Sequence, residues 1–311
     1  MNIAIVGATS VIAQDLLKEW ILADKEAYIH LYARNINKLD VVVAASEKSS
    51  CTLLAKKLSD FPDGNDYDVI INFIGVGDPS KAKSMSDRII DITGYYDNLI
   101  LDYLDNNQQC KYIFLSSGAA YGSDFSEPAS VDKKAMFSIN DLKEVDSYGL
   151  AKFTAEIKHR YKPHLSIVDV RVFNYFSKNQ DLESRFFITD ILRAIINSET
   201  CDVNPEPMVR DYLHPKDFCQ IVDCILNAEH LNTAVDCYSL APIDKHTLLA
   251  TMQDIYDMKW RFTSDVSIIR ATGTKSNYYS ENKILASWGY KPEFSSLDTI
   301  LSAFDWILSK K

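Results

Sequence analysis

Compact apolar strands alternate with helical segments through the first half of the 311-residue chain, and this alternation restricts the fold more than any other feature. Helical periodicity covers Val11–Ala23 and Ser80–Asn106. The apolar runs of strand length are Asn2–Val6, Ala27–Tyr32, Asp68–Ile74 and Lys111–Ser116. Because these runs lack polar alternation, they are typical of a parallel sheet that helices cover on both faces. The sequence therefore predicts an α/β fold with a doubly wound parallel sheet.

The second half of the chain extends this sheet and then becomes less regular. A predicted helix at Ser147–Tyr161 precedes a predicted strand at Leu165–Phe173. The later predicted elements are helices at Asp181–Asn197, His214–Asn227, Glu281–Trp288 and Ser296–Leu308 and a strand at Val235–Leu240. Since no repeat or low-complexity linker separates the halves, we expect a smaller C-terminal lobe interwoven with the sheet. The first lobe would comprise residues 1–172 with returning segments near 213–240, and the second 173–212 and 241–311.

Composition excludes several classes of function. Apolar residues make up 47% of the chain, which indicates a globular protein, and the net charge of -10 disfavours nucleic acids and anionic lipids as partners. No apolar run reaches the roughly 18 residues of a membrane span, and no secretion signal is evident at the N-terminus. The six cysteines and six histidines are dispersed, which disfavours disulfides and a metal site. We expect a cytoplasmic protein that binds no metal.

The pair Tyr148 and Lys152 is the strongest candidate for chemistry. Four residues apart on a predicted helix, the two side chains share one face. An ammonium beside a phenol stabilises the phenolate, so we expect Lys152 to lower the Tyr148 pKa and to make Tyr148 a general acid or base. The alternative is a chance pair on a helix surface.

A small-residue turn follows the first strand at Gly7-Ala8-Thr9-Ser10-Val11-Ile12-Ala13 and opens the first helix. A dinucleotide site needs a tight turn here, so that the free amides of the helix meet a pyrophosphate. Gly7 supplies the turn, whereas Ser10 stands where a second glycine is usual. The alternative is an ordinary turn between a strand and a helix.

The end of the second predicted strand bears on the choice of cofactor. An acidic residue at this point would bind the ribose 2′-hydroxyl of NAD, but the chain has none between Ala27 and Asp40 and carries Arg34 instead. Because a guanidinium suits a 2′-phosphate, we predict NADP, with NAD as the alternative. Arg34 could otherwise be a solvated surface residue.

Ser117 lies in Ser116-Ser117-Gly118-Ala119-Ala120-Tyr121-Gly122, directly after a predicted strand. Ligands of open α/β sheets collect at the carboxyl ends of the strands, so Ser117 could bind the same substrate oxygen as Tyr148. The alternative is a polar turn.

In order and context, several segments resemble motifs of the extended short-chain dehydrogenase/reductases that act on nucleotide sugars. They read GATSVIA, NFIG, SSGAAYG, YGLAK, RVFN and RDYLHPKD, and a C-terminal WGYKP is similar to a further family element. The resemblance covers nearly the whole chain. It implies a Rossmann-type sheet with a substrate-binding C-terminal lobe and a nucleotide-diphosphate sugar as substrate.

The resemblance also implies particular roles. Tyr148 would be the catalytic acid/base, Lys152 would hold the nicotinamide ribose, and Ser117 would be the catalytic serine. Asn174 would lie near the sugar, and Arg210 would clamp the diphosphate, unless Arg210 forms only a salt bridge with Asp211. The implied cofactor contacts are Gly7, Thr9, Ser10, Val11, Ile12, Arg34, Ile74, Gly75, Tyr148 and Lys152. A homodimer follows from the family by analogy.

Two departures from the family pattern narrow the chemistry. Asn174-Tyr175-Phe176-Ser177 replaces the family's usual turn beside the sugar. The 4,6-dehydratases of the family carry an Asp-Glu pair directly after the catalytic residue, where this chain has Gly118 and Ala119. That replacement removes the acid and base that eliminate water.

Three functions remain after the dehydratase is set aside. We favour an NADPH-dependent reductase of a nucleotide-linked 4-keto-6-deoxy sugar, in which Tyr148 donates the proton. A nucleotide-sugar epimerase with tightly bound NAD(P) would use the same residues. A non-catalytic protein that only binds NAD(P) is the third, although such relatives commonly lose the Tyr or the Lys.

Overall fold

A seven-stranded parallel sheet forms the centre of the protein in the computed structural model, which describes residues 1–75, 88–263 and 275–311. Its strands are β1 (Asn2–Val6), β2 (Ala27–Ala33), β3 (Cys51–Lys57), β4 (Val69–Asn72), β5 (Lys111–Ser117), β6 (Ile167–Val172) and β11 (Asn232–Asp236). The order across the sheet is β11-β6-β5-β4-β1-β2-β3. The chain runs outward from β1 to β3 and then returns to β4 on the other side of β1. This reversal leaves a crevice at the carboxyl ends of β1 and β4, which is where ligands of such sheets bind.

Helices cover both faces of this sheet. They are α1 (Val11–Leu22), α2 (Asp40–Ser46), α3 (Ile89–Asn106), α4 (Asp146–Arg160), α5 (Phe187–Asn197), α6 (Pro215–Asn227), α7 (Lys245–Tyr256) and α8 (Ser296–Leu308). Side chains of β1 alternate between two cores: Ile3 and Ile5 pack with α1 and α6, whereas Ala4 and Val6 pack with α3 and α4. Successive strand residues point to opposite faces, so a strand buried on both faces reads as the continuous apolar run seen in the sequence.

A second hydrophobic cluster lies apart from the sheet and is built from α5, α7 and α8. Three small sheets accompany it: β7 (Asn174–Tyr175) with β10 (Tyr212–Leu213), β8 (Cys201–Val203) with β13 (Trp260–Phe262), and β9 (Val209–Arg210) with β12 (Ile243–Asp244) and β14 (Asn277–Tyr278). The division of the chain into two lobes stays a prediction. One correction is needed, because Leu285 and Tyr290 pack with the first core and not with the second lobe.

The predicted α/β class is confirmed, and most predicted elements lie within a few residues of their observed bounds. The helix predicted from Asp181 begins only at Phe187, because Asp181 and Ser184 form a turn in which Ser184 Oγ donates to Asp181 O at 2.5 Å. The helix predicted at Glu281–Trp288 is a 3-10 helix at Ile284–Trp288. The residues before 88 in the predicted helix Ser80–Asn106 lie outside the described residues.

The strand predicted at Val235–Leu240 was placed too late. The observed β11 begins at Asn232, where its first three residues are partly exposed, and ends at Asp236. Cys237 and Tyr238 lie beyond the strand but are buried in the first core, so the apolar run outlasts the strand. Within the described residues, no helix is long and apolar enough to cross a membrane.

Candidate active site

Gly7 forms the turn at the carboxyl end of β1. Its φ is +85°, and a Cβ at this position would lie 3.0 Å from Phe73 C and from Ile74 N. The amides of Gly7 and Ala8 both donate to Tyr32 O, at 2.9 and 3.1 Å. A side chain at position 7 would therefore meet both an unfavourable backbone conformation and the chain leaving β4. This tight turn brings the start of α1 into the crevice of the sheet.

Ser10 has a local role that the glycine pattern did not predict. It is the N-cap of α1, and its Oγ accepts a hydrogen bond from Ala13 N at 3.2 Å. The capping serine fixes the first turn of the helix, where the partial positive charge of the helix favours an anion. The residues present thus fit a pyrophosphate at the amides that follow Thr9, which is exposed beside the turn.

Arg34 is exposed directly after β2. Lys57 ends the neighbouring strand β3 and is likewise exposed, and it follows Lys56, the register partner of Tyr32. Asn35 Oδ1 accepts from Asn37 N at 3.2 Å and so caps the short helix that follows. Two cations therefore stand at one end of the paired strands β2 and β3.

Ser117 and Tyr148 come together because two backbones approach very closely. Gly149 follows Tyr148 in α4, and a Cβ on it would lie only 2.5 Å from Ala119 O. This absence of a side chain lets α4 pack on the 3-10 helix at Gly118–Tyr121, which begins directly after Ser117. The Ser117 hydroxyl then lies close enough to the Tyr148 phenol to act on its pKa. The two residues predicted to share a substrate oxygen are thus neighbours.

Lys152 is almost fully buried one helical turn after Tyr148. Its Nζ donates to Leu115 O at 2.7 Å, lies 4.4 Å from the centre of the Phe114 ring and lies 5.8 Å from that of Tyr148. A Cβ on Gly75 would stand 3.1 Å from the same Nζ. Lys152 therefore joins the Tyr148 helix to the segment after β4, where Ile74 and Gly75 were predicted to contact the cofactor.

The expected electrostatic effect of Lys152 on Tyr148 is not found. Burial raises the Tyr148 pKa above its usual value, and the nearby Ser117 hydroxyl opposes this only in part. Burial also lowers the Lys152 pKa, to about 8, although the carboxylates of Asp97, Glu156 and Asp169 oppose this. Desolvation disfavours both charged forms at this depth, which sequence spacing cannot reveal.

A buried polar network lies beneath Lys152. Asn72 at the end of β4 donates through Nδ2 to the Tyr112 hydroxyl at 2.9 Å, and that hydroxyl donates to Asp97 at 3.1 Å. His159 lies between Asp97 and Asp169, with its ring nitrogens 2.7 and 2.6 Å from the carboxylates. Burial lowers the His159 pKa, but the two carboxylates together outweigh it and raise the pKa to about 9, so the ring is protonated at neutral pH.

The small sheets bring Arg210 and Asn174 near Ser117. Arg210 is buried in β9, where it pairs in register with Tyr278, and its Nη1 donates to Val209 O at 2.8 Å. The alternative role predicted for Arg210 was a salt bridge with Asp211. Asp211 instead accepts a hydrogen bond from Ser239 N. Asn174 Nδ2 donates to Asp211 O at 3.2 Å and to Tyr278 O at 3.5 Å, so this amide supports the backbone of the site.

Tyr278 is a site residue that the sequence analysis missed. Its hydroxyl lies 3.3 Å from Ser117 Oγ, and its ring packs on Phe125 and Phe173. The neighbouring Lys275 has its Nζ 4.6 Å from the Tyr278 ring. Burial, and after it the charge of Arg210, lower the Lys275 pKa to about 8. Since β14 spans only two residues, no periodic pattern marked it.

Position 118 is closed to any side chain. A Cβ on Gly118 would lie 2.4 Å from Cδ1 of the Phe173 ring, and that ring is buried among Tyr121, Phe125 and Tyr278. The absence of an acidic residue at position 118 is therefore built into the packing.

The crevice, the glycine turn and the Ser117–Tyr148–Lys152 arrangement define a protein of the extended short-chain dehydrogenase/reductase class. The family model described as "NAD dependent epimerase/dehydratase family" matches residues 3–237, so the chain belongs to this family. A comparison with curated proteins finds no match.

Solved structures share the fold over their whole length. A UDP-N-acetylglucosamine 4-epimerase from Methanobrevibacter ruminantium M1 superposes with a TM-score of 0.80 at 16% identity, covering 100% of this chain and 99% of that one. A UDP-glucuronic acid 4-epimerase from Bacillus cereus gives a TM-score of 0.81 at 14% identity, with 100% of both chains covered. A UDP-glucose 4-epimerase from Thermotoga maritima gives 0.79 at 13% identity, covering 100% of this chain and 99% of that one.

Proposed function

We propose that the protein is an NADPH-dependent reductase of a nucleotide-linked 4-keto-6-deoxy sugar. The observation that carries this proposal is the meeting of Ser117, Tyr148 and Lys152 beside Gly75 at the carboxyl edge of the sheet. Two hydroxyls and an ammonium at one point can bind a carbonyl oxygen, protonate it and stabilise the phenolate that results. All three groups are needed for catalysis, whereas simple binding of a dinucleotide needs only the crevice.

Each residue has a distinct part in the reduction. Gly7 and the start of α1 would hold the pyrophosphate of the cofactor, and Lys152 its nicotinamide ribose. When bound, NADPH supplies a hydride to the C4 carbonyl. Tyr148 donates its proton to the oxygen of that carbonyl, and Ser117 holds the same oxygen. The raised Tyr148 pKa keeps the phenol protonated at neutral pH, as a proton donor requires.

Arg34 and Lys57 support NADP over NAD. Both cations are exposed at the carboxyl ends of β2 and β3, and a 2′-phosphate carries the charge that suits them. An acidic residue, which would bind the 2′-hydroxyl of NAD, is absent from this stretch of the sequence. NADPH is the usual reducing cofactor, so this preference also favours the reductive direction.

Arg210 and Lys275 support an anionic substrate such as a nucleotide diphosphate. Burial is the main cause of the lowered Lys275 pKa, and the charge of Arg210 lowers it further, so the two positive charges lie close enough to repel one another. Both stand against the ring of Tyr278, whose hydroxyl reaches Ser117. A diphosphate bound there would relieve the repulsion and place the attached sugar beside Tyr148.

A 4-epimerase is the second candidate, and the three epimerases of the same fold favour it. It would use the same residues but return the hydride to the opposite face of the sugar. The two reactions differ in stoichiometry, because a reductase consumes one NADPH for each product and an epimerase shows no net change. We would therefore incubate the protein with NADPH and a panel of 4-keto nucleotide sugars. No oxidation of NADPH with any of them would overturn the reductase.

We also propose a homodimer. Helices α3 and α4 pack together and leave an outward groove lined by Ile90 and Tyr95, and Ile157 lines an adjoining depression; all three side chains are exposed. Apolar side chains grouped on one face are typical of an interface. Light scattering should give twice the mass of the chain, and Tyr95→Asp should reduce it to that of a monomer.

A further inference from the structure

We propose that Asp236 is a positioning residue that sets the distance between the hydroxyls proposed for catalysis and the anion-binding side chains. The proposed function, on which this inference rests, has the reacting carbonyl at Ser117 and Tyr148. It has the anion of the substrate at Arg210 and Lys275. The bonds between the diphosphate and the C4 carbonyl of a sugar nucleotide allow only a narrow range of distances. The two parts of the site must therefore stand at a matching distance for the reaction to occur.

Asp236 is the last residue of β11, the edge strand of the central sheet, and its side chain is fully buried. Its carboxylate accepts from the Tyr121 hydroxyl, at 3.1 Å to Oδ1 and 3.0 Å to Oδ2, and from Ser280 Oγ at 2.7 Å. Its register partner on β6 is Arg171, whose Nη1 lies 3.4 Å from Oδ1. One buried carboxylate thus binds hydroxyls from two segments that are distant in sequence. We call these hydrogen bonds, from Tyr121 and Ser280 to Asp236, the Asp236 link.

The Tyr121 hydroxyl connects Asp236 to the catalytic serine. Tyr121 ends the 3-10 helix that begins directly after Ser117. Its hydroxyl donates to Asp236 and accepts from Arg171 Nη1 at 2.6 Å, so its one proton and one of its lone pairs are in use. The Tyr121 ring stacks on Phe173 at a centroid distance of 6.5 Å. Hydrogen bonds and packing therefore both constrain the segment of Ser117 relative to Asp236.

Ser280 connects Asp236 to the anion-binding side chains. It comes two residues after Tyr278, which pairs in register with Arg210 across β14 and β9. Ser280 Oγ has a single proton and lies 2.7 Å from Asp236 Oδ2 and 3.2 Å from Ala129 O. Because the carboxylate is both the nearer and the charged acceptor, the proton points to Asp236. The Asp236 link therefore holds β14, and with it β9, at a set position relative to the central sheet.

The surroundings of Asp236 favour the carboxylate that the link needs. Burial raises the Asp236 pKa, whereas Arg171, Ser280 and Tyr121 lower it. A carboxylate can accept from two hydroxyls at once, while a protonated carboxyl group would have to donate its own proton. The alternative role of Asp236 is only to balance the charge of Arg171, which also forms an ion pair with Glu156. Loss of the Ser280 hydroxyl would then change stability but not the rate.

The first test removes one hydroxyl of the link by Ser280→Ala and compares it with Ser49→Ala. Ser49 Oγ accepts from the amide two residues on at 3.3 Å, just as Ser280 Oγ does at 3.0 Å. Ser49 donates to a backbone carbonyl instead of a carboxylate, so it is a matched control for the local turn. Thermal unfolding of both variants checks the fold.

We expect Ser280→Ala to lower kcat by about tenfold with a UDP- or dTDP-linked 4-keto-6-deoxyglucose, as for a displacement of several tenths of an ångström. Its affinities for NADPH and for UDP or dTDP in calorimetry should stay those of the wild type, because β9 and β14 move together. Ser49→Ala should match the wild type throughout. A wild-type kcat in Ser280→Ala, or a loss of affinity as large as the loss of kcat, would overturn the inference.

A double-mutant cycle tests whether the two hydroxyls act through one carboxylate. Tyr121→Phe removes the other hydroxyl of the link and keeps the ring against Phe173. Either change alone breaks the link, so the double variant should be no slower than the slower single variant. Losses of kcat that multiply would show that the hydroxyls act separately and would contradict the proposal.

Hydrogen exchange without substrate separates the failure of this inference from the failure of the proposed function. In Ser280→Ala we expect faster exchange around residues 276–282 and also around 117–122, because the link joins these two segments. Ser49→Ala should leave both unchanged. Faster exchange around 276–282 alone refutes the link even if NADPH is oxidised. Faster exchange in both segments of a protein that oxidises no NADPH supports the link while refuting the reductase.

Discussion

Replacing Gly149 by alanine should separate Tyr148 from Ser117 while leaving both residues in place. A Cβ at position 149 would lie 2.5 Å from Ala119 O, whereas ordinary contact begins at 3.4 Å, so a gap of 0.9 Å must open. The contact is with backbone, which cannot rotate away as a side chain can. Helix α4 must therefore move off the 3-10 helix at Gly118–Tyr121. Since α4 carries Tyr148, the phenol moves with it.

The substitution has opposite effects on helix propensity and on tertiary packing. Alanine favours a helix over glycine by roughly 0.5–1 kcal/mol, but overpacking costs about 1–3 kcal/mol. We expect a net loss of free energy of unfolding of about 1 kcal/mol, together with a loss of kcat of about 100-fold for a misplacement near 1 Å. Urea unfolding and initial rates of NADPH oxidation measure the two effects.

Gly94 in α3 is the matched control within one subunit, because a Cβ there meets nothing within 4 Å. Since Gly94 also lines the groove that we propose as the dimer interface, light scattering must show that Gly94→Ala keeps the mass of the wild type. Gly94→Ala should stabilise the protein by about 0.5–1 kcal/mol and leave kcat unchanged. A Gly149→Ala variant with wild-type stability and a rate within threefold of wild type would refute the reasoning. The close backbone approach would then not be what positions Tyr148.

Three further perturbations have defined outcomes. Lys152→Met should abolish turnover but stabilise the protein at pH 7 by roughly 1–3 kcal/mol in thermal unfolding, because burial lowers the lysine pKa to about 8. Between pH values of about 8 and 10.5, Lys152 is deprotonated in the folded protein but still protonated in the unfolded chain. The free energy of unfolding of the wild type should therefore rise with pH, and the stability gained in Lys152→Met should shrink. Arg34→Ala should weaken NADPH binding by about 10-fold or more but not NADH binding, whereas Lys48→Ala, before β3, should change neither in calorimetry. Gly118→Ala should destabilise the protein by about 1–3 kcal/mol in urea unfolding, and adding Phe173→Leu should restore part of that loss if the ring is the obstacle.

The central sheet could be predicted because its strands are buried on both faces and so read as apolar runs. The edge strand β3 was not predicted, because its buried and exposed residues alternate and its sequence ends in Ala55-Lys56-Lys57. Helix α7 was not predicted, because the segment before it is irregular. Its N-cap is Asp244, and its buried face consists of Leu248, Leu249 and Met252. These elements depend on neighbours distant in sequence, which local patterns do not report.

The same distinction between local patterns and contacts distant in sequence applies to the candidate site. Tyr148, Lys152 and Ser117 were identified from spacing and order, and the structure brings them together. The sequence could not reveal that burial outweighs Lys152 in setting the Tyr148 pKa, or that Tyr278 reaches Ser117 from 161 residues away. Long-range packing decides both. A charged neighbour at helical spacing is only one of the contributions to a pKa.

The most direct test of the account follows the transferred hydrogen. The protein is given NADPH deuterated at the nicotinamide C4 and a 4-keto nucleotide sugar, and the products are analysed by mass spectrometry and NMR. Our account predicts deuterium at C4 of the product sugar, one NADP+ for each product molecule, and no transfer in Tyr148→Phe. Contradiction would be a product formed without label and without net oxidation of NADPH, or transfer that persists at the wild-type rate in Tyr148→Phe.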